Sequence, residues 1–304
     1  MAAPAVWVGP GHLPGLAEAV TAGGGTVVDT PEAAEAIVWW GEGSDRVIEE
    51  VLHPGIRWVQ LGSAGIEGWI DGGSVDRHRQ WTSAAGAYAD SVAEHVVALA
   101  LAGIRRLPHY ARLRTWAAED GGMLRGRTVG IVGAGGIGRA LIALLAPFGV
   151  RTIALTRSGH AVAGADRSVA SDALPELLAA SDVVVLATPL TPATHHLLDA
   201  DALARMRADA VLINVGRGAL VDTDALVAAL TAGHLAGALL DVTDPEPLPD
   251  GHPLWELPNV LITPHVANTP ATLQPALVAL VTENVRRFAA GEDLRAPIDL
   301  DRGY

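Results

Sequence analysis

The chain contains no cysteine and no lysine. Without thiols it has no disulfide, no thiolate metal site and no cysteine nucleophile, a usage that agrees with a cytoplasmic setting. All 21 basic residues are therefore arginine, as readily a mark of genome base composition as of function. Long apolar runs are missing too. The longest candidate, residues 96–104, falls far short of the roughly 20 residues needed to cross a bilayer. It follows Glu94 and His95 and reads as a buried helix. No basic segment precedes an apolar one near the start, so no secretory signal is expected. Positive charge is scarce: the formal net charge of −13 argues against a nucleic-acid or anionic-membrane partner. Any anionic ligand must therefore meet a site made locally positive by a few arginines and helix N-termini.

What is present is enough apolar material for two cores, since 50% of the 304 residues are hydrophobic. Short apolar runs at 5–8, 26–28, 36–40, 57–61 and 81–83 alternate with helical stretches such as 45–52. The alternation predicts a parallel sheet covered on both faces. A long helix is expected over about 88–106, followed by an arginine-rich segment, 105–127. The alternation then resumes with strands at 129–132, 152–155, 182–187, 210–215, 237–242 and 260–263, six in all, as a Rossmann-type sheet requires. A last helix is expected over about 271–290.

The richest local signal is the turn Gly133-Ala134-Gly135-Gly136-Ile137-Gly138, which follows the first of these six strands and opens a helix. Gly133 allows a tight turn, Gly135 lets backbone approach a pyrophosphate, and Gly138 lets helix and strand pack closely. The helix N-terminus supplies free N–H groups and the positive dipole end. An NAD site usually places an acidic residue at the end of the next strand. Here that strand ends in Thr156-Arg157-Ser158. A carboxylate there would repel a 2′-phosphate, whereas an arginine and two hydroxyls would bind one. NADP(H) is accordingly preferred over NAD(H), which stays possible; Arg157 as a solvated loop residue is the alternative.

Three later segments end strands where open α/β sheets place ligands. They are Asn214-Val215-Gly216-Arg217-Gly218, then Asp241-Val242-Thr243-Asp244-Pro245-Glu246-Pro247, then Thr263-Pro264-His265-Val266-Ala267. Together they offer an anion binder, a carboxylate and a residue able to exchange a proton. The adjacent pair His195-His196 invites a metal reading, but neighbouring side chains diverge and no cysteine completes a zinc set, so no metal is expected.

With these motifs, and with Ser63-Ala64-Gly65-Ile66 and the run from Tyr88 to His95, nearly the whole chain resembles the D-isomer-specific 2-hydroxyacid dehydrogenases. The resemblance implies two doubly wound parallel-sheet domains. A Rossmann NAD(P)-binding domain (99–270) would be inserted into a flavodoxin-like substrate domain (1–98 and 271–304). It implies that Arg217 binds the substrate carboxylate and carbonyl. His265 would give a proton to the carbonyl oxygen in reduction, and Glu246 would hydrogen-bond His265 and favour its protonated form. Ala64 and Gly65 would hold the substrate carboxylate through their N–H groups. Asp241 would orient the nicotinamide amide, Val215 and Gly216 would line the ring site, and Thr188 and Pro189 would contact the nucleotide.

Within that family Thr156-Arg157-Ser158, Pro253-Leu254-Trp255 and the segment 301–304 resemble the NADPH-preferring glyoxylate/hydroxypyruvate reductases. Asn268, after His265-Val266-Ala267, departs from the pattern. The expected activity is reduction of a small 2-oxoacid, glyoxylate or hydroxypyruvate, by NADPH. The alternatives are an NAD-dependent dehydrogenase of another 2-hydroxy acid and a non-catalytic nucleotide-sensing relative. The resemblance also implies a homodimer across which the arm carrying Trp116 packs.

Overall fold

In the first half of the chain, strands and helices alternate: β1 (Ala5–Pro10), α1 (Leu16–Ala22), β2 (Thr26–Val28), β3 (Ala36–Trp40), α2 (Asp45–Glu49), β4 (Trp58–Leu61), α3 (Glu67–Asp71) and β5 (Gln80–Thr82). The structure, a computed structural model, describes residues 2–41, 45–116 and 121–303. Tyr304 of the terminal segment therefore lies outside the described residues. All five strands pair in parallel in the order β2-β1-β3-β4-β5, the flavodoxin-like winding.

Side-chain alternation along these strands builds a core on each face. Ala36 and Val38 of β3, with Trp58 of β4, join Leu16 and Val20 of α1 on one side. Ile37 and Trp39, with Val59 and Leu61, meet Ile48 and Ile66 on the other. Gln60 shares the Trp58 face by the same alternation and is completely buried.

A second unit follows. It contains α4 (Ala89–Ile104), α5 (Leu107–Arg112), β6 (Thr128–Val132), α6 (Gly136–Leu145), β7 (Arg151–Leu155), β8 (Arg167–Val169), α7 (Leu174–Ala180) and β9 (Val183–Leu186). It continues through α8 (Ala200–Arg205), β10 (Val211–Asn214), α9 (Thr223–Thr231), β11 (Gly237–Leu240), α10 (Pro253–Glu256) and β12 (Val260–Ile262). The seven strands are parallel in the order β12-β11-β10-β9-β6-β7-β8. Counted from β6, this is the Rossmann order with one strand added beyond the sixth. The winding reverses between β6 and β9, and ligands of such sheets sit at that crevice. Strands β9, β10 and β11 are buried along their whole length, as a sheet covered on both faces demands.

The last helix, α11 (Pro270–Ala290), returns to the first unit, where Leu277, Val281 and Val285 complete its core. The contacts divide the chain into Met1–Tyr88 with Thr269–Tyr304, and Ala89–Asn268. This division differs from a boundary inside the long helix at 98/99. Helix α4 packs along its length on α6, β10 and β11, so it stays whole within the second unit.

Two elements differ from the sequence expectation. The strand β8 is an edge strand of three residues, of which only Val169 is buried, so no apolar run announces it. The arginine-rich segment contains the short helix α5, which ends with Leu113 in extended backbone.

Candidate active site

The nucleotide end is built by the turn after β6. Gly133 adopts φ +100°, and a Cβ on it would stand 2.6 Å from the Ala187 carbonyl oxygen at the end of β9. A Cβ on Gly138 would overlap the Gly133 carbonyl, so helix α6 and strand β6 approach as closely as backbone allows. Gly135, by contrast, faces open space, with nothing within 4 Å of its Cβ position. It is the N-cap of α6 and has no side chain to cap the helix. Exposed Gly136 and half-buried Ile137 form the first turn, whose N–H groups have no intrahelical acceptor. These residues fit a dinucleotide pyrophosphate: close packing holds the turn from behind, and space and donors lie in front.

At the end of β7, Thr156 is buried and its Oγ1 lacks a hydrogen-bond partner. Arg157 and Ser158 are exposed beside it, and Ser158 Oγ lies 3.3 Å from His160 Nδ1. The Arg157 carbonyl accepts from Ser171 Oγ at 3.4 Å, which ties the segment to the chain beyond β8. Thr188 and Pro189 are half-buried where the chain leaves β9.

The chemical end is shaped by two buried polar side chains. Asn214 ends β10 and folds its own loop: Nδ2 donates to the Arg217 carbonyl at 2.9 Å, and Oδ1 accepts from the Gly216 N–H at 3.1 Å. Val215 and Gly216 are thereby buried, and Arg217 emerges half-buried in extended backbone. A Cβ on Gly218 would overlap the Thr243 carbonyl, so this loop lies directly on the backbone of the Asp241–Glu246 segment.

Asp241 follows β11. Its side chain is 1% exposed, and both oxygens are engaged. Oδ1 accepts from Thr263 Oγ1 at 2.6 Å and from the Val266 N–H at 2.9 Å, and Oδ2 accepts from the Ala267 N–H at 3.0 Å. His95 of α4 adds Nε2 at 3.5 Å from Oδ1 and 3.1 Å from Thr263 Oγ1. Burial pushes the Asp241 carboxyl up, but the bonds from His95, Thr263, Ala267 and Val266 outweigh it and hold it down to about 2.

His265 sits at the centre of this clamp with φ +53°. That left-handed conformation costs a non-glycine residue roughly 1–2 kcal/mol. Its N–H is held by the Asp241 carbonyl at 2.8 Å and the Thr263 carbonyl at 2.9 Å. The ring turns outward, and Nδ1 meets Glu246 Oε1 at 2.7 Å. Both side chains remain accessible, at 53% and 43% exposure.

The structure thus joins Glu246 with His265, and the Arg217 loop with the loop that carries Glu246. Asp241, given above to the nicotinamide amide, is turned inward to the backbone on either side of the histidine. Asn214, Gly218, His95 and Thr263 were assigned no role from sequence, although each stands in a quoted motif. Ala64, exposed, and Gly65, half-buried, lie in the first unit between β4 and α3. Their loop is anchored by Tyr88, whose hydroxyl donates to the Gly62 carbonyl at 2.6 Å. Burial pushes that phenol up to about 12, so it remains a donor. His195 and His196 do not diverge as neighbours on a helix or strand would: they lie in a turn, with His196 at φ +48°, and their rings stack with centroids 4.0 Å apart. Among the described residues no His, Asp and Glu cluster could hold a metal ion. Trp116 is fully exposed. No helix among the described residues is long and apolar enough to cross a membrane.

Comparison with known proteins places the chain among relatives of one family. The family profile described as D-isomer specific 2-hydroxyacid dehydrogenase, NAD binding domain, matches residues 97–267. An uncharacterised protein of Corynebacterium melassecola is 44% identical over 83% of this chain and 85% of its own length. A glyoxylate reductase of Aeropyrum pernix is 36% identical over 69% of this chain and 67% of its own. Among solved structures, a D-isomer specific 2-hydroxyacid dehydrogenase from Xanthobacter autotrophicus, in complex with NADPH and MES, superposes with a TM-score of 0.86. It is 31% identical, and both chains are covered completely.

Proposed function

The chain belongs to the D-isomer specific 2-hydroxyacid dehydrogenase family of NAD(P)-using oxidoreductases, and from that premise we propose that it reduces glyoxylate or hydroxypyruvate with NADPH. The observation that carries this reading is the His265–Glu246 pair. With Nδ1 held by Glu246 at 2.7 Å, Nε2 is the nitrogen that hands a proton to the substrate carbonyl oxygen. The carboxylate fixes the ring's orientation and balances its positive charge while the proton is held. Arg217 binds the substrate carboxylate and stabilises charge growing on the carbonyl oxygen. Ala64 and Gly65 contribute backbone N–H groups to the same carboxylate.

The turn Gly133 to Gly138 holds the pyrophosphate, with Thr188, Pro189, Val215 and Gly216 along the rest of the nucleotide. The cofactor, when bound, supplies the hydride. Arg157, Ser158 and the Thr156 hydroxyl are assigned to the 2′-phosphate, and NADPH is preferred because no carboxylate stands there to repel it. The glyoxylate reductase among the relatives supports the substrate class, and the NADPH-bound neighbour supports the cofactor. We also assign the protein a homodimeric state and a cytoplasmic setting, to be checked by light scattering and cell fractionation.

The test is a side-by-side measurement of initial rates with NADPH and NADH at equal concentration, using glyoxylate and hydroxypyruvate. Faster turnover with NADPH is expected. Turnover with NADH alone overturns the cofactor preference, and no turnover with either acid overturns the substrate class.

A further inference from the structure

The segment that carries His265 is gripped from a helix far away in sequence. Ser91 and His95 stand one turn apart on α4, on the same helical face. Ser91 Oγ donates to the Ala267 carbonyl at 2.8 Å, and His95 Nε2 lies 3.1 Å from Thr263 Oγ1. Residues 263 and 267 bracket His265 on both sides. Between them, Asp241 binds the Thr263 hydroxyl and the N–H groups of Val266 and Ala267.

The direction of this chain of hydrogen bonds follows from the inventory of protons. The Asp241 carboxylate only accepts, so the single hydroxyl proton of Thr263 goes to Oδ1 at 2.6 Å. Thr263 Oγ1 can then only accept from His95, which must carry its proton on Nε2. His95 thus donates from Nε2 at the head of a one-way relay, His95 to Thr263 to Asp241. The relay ends on a carboxylate that takes the two N–H groups following His265.

We propose that His95 and Thr263 are positioning residues, which act through Asp241 to hold His265 in its left-handed backbone conformation and so to aim its ring at Glu246 and the substrate. The proposal rests on His265 as the proton donor, and it gives Asp241 this loop-holding role beside the nicotinamide-amide role that the family resemblance implies. A side chain 1% exposed, with both oxygens accepting from the backbone that follows His265, shapes that loop. Nothing in this arrangement requires His95 or Thr263 to touch substrate or cofactor.

The test uses two pairs of variants. Thr263→Val keeps the shape and removes the hydroxyl, whereas Thr263→Ser restores it. His95→Leu removes the donor, whereas His95→Gln returns an N–H near the Nε2 position. The disabling member of each pair is expected to lower kcat about 10-fold or more, as loss of sub-ångström placement does. The KM for the oxoacid and the Kd for NADPH, read by fluorescence titration, should stay within about 2-fold. Thr263→Ser and His95→Gln should recover most of the rate. A raised NADPH Kd with kcat unchanged would return the cluster to cofactor binding and overturn the proposal. Unaltered kinetics in Thr263→Val and His95→Leu would overturn it as well. His265→Ala is measured in parallel: retained turnover there would remove the proton-donor reading itself. Its loss, with Thr263→Val and His95→Leu at full rate, would remove only the positioning relay.

Discussion

The two units are wound alike, yet each buries a polar network of opposite character. In the first, the members are neutral. Trp58 Nε1 donates to Thr82 Oγ1 at 2.9 Å, Thr82 to Gln60 Oε1 at 2.9 Å, and Asn284 Nδ2 of α11 to the same oxygen at 2.7 Å. Gln60 and Asn284 also bind backbone at Ser83 and Arg295. This network ties the returning helix to the sheet. In the second unit the centre is the charged Asp241, and its partners are the backbone groups around His265. A neutral buried network fixes a fold at any pH, whereas a charged one spends its bonds on a loop that must be aimed.

The largest effect that bears on this contrast is expected from His265→Ala. Turnover should fall about 10²–10⁴-fold, while the unfolding temperature and NADPH binding stay near wild type. A parallel loss of cofactor binding would show that the charged network holds the nucleotide. Next in size is Asn284→Ala in the neutral network. It strands the Arg295 N–H and carbonyl and should cost about 2–3 kcal/mol of stability. Denaturant unfolding checks this, and the rate per folded molecule should be unchanged; a selective drop in kcat would erase the distinction between the networks.

A third prediction separates them by pH. Asp241 titrates at about 2 when folded, against 3.8 ordinarily. Its charge therefore contributes stability fully above pH ~4, and the contribution is lost as pH falls towards 2. The linkage is worth about 2 kcal/mol. The stability gap between wild type and Asp241→Asn, followed by calorimetry, should close over that range. The neutral network contains no group that titrates there, so the gap between wild type and Asn284→Ala should not. A gap for Asp241→Asn that is flat with pH would deny the carboxylate its charge-based role. The smallest effect lies at the nucleotide end: Arg157→Asp should shift the NADPH-to-NADH preference about 10-fold towards NADH. An unchanged ratio would return Arg157 to a solvated loop.

Much of this was legible along the chain because it is local. The strand Val183–Leu186 is an unbroken apolar run, and Val211–Asn214 is one up to its last residue; a buried parallel strand reads that way. The turn from Gly133 to Gly138 announces itself because its requirements are steric and fall within six residues. What escaped is either marginal or long-range. The edge strand Arg167–Val169 has one buried side chain and neighbours only β7. Gln60 and Asn284 look like surface residues until they are seen to satisfy each other across 224 positions. His95 meets Thr263 across 168, and no periodicity carries that information. Asp241 shows the limit from the other side: its place at a strand end is readable, but the direction its oxygens face is set by four partners from two other segments.

The contact at Gly218 has a consequence for anyone who would re-engineer the pocket. With no room for one methyl group between residue 218 and the Thr243 carbonyl, the loops after β10 and β11 share a single surface. A loop transplanted alone from a relative would bring its own path and collide with the resident one. Segments 214–220 and 241–247 are therefore a single module, and substrate range should be exchanged by grafting both together.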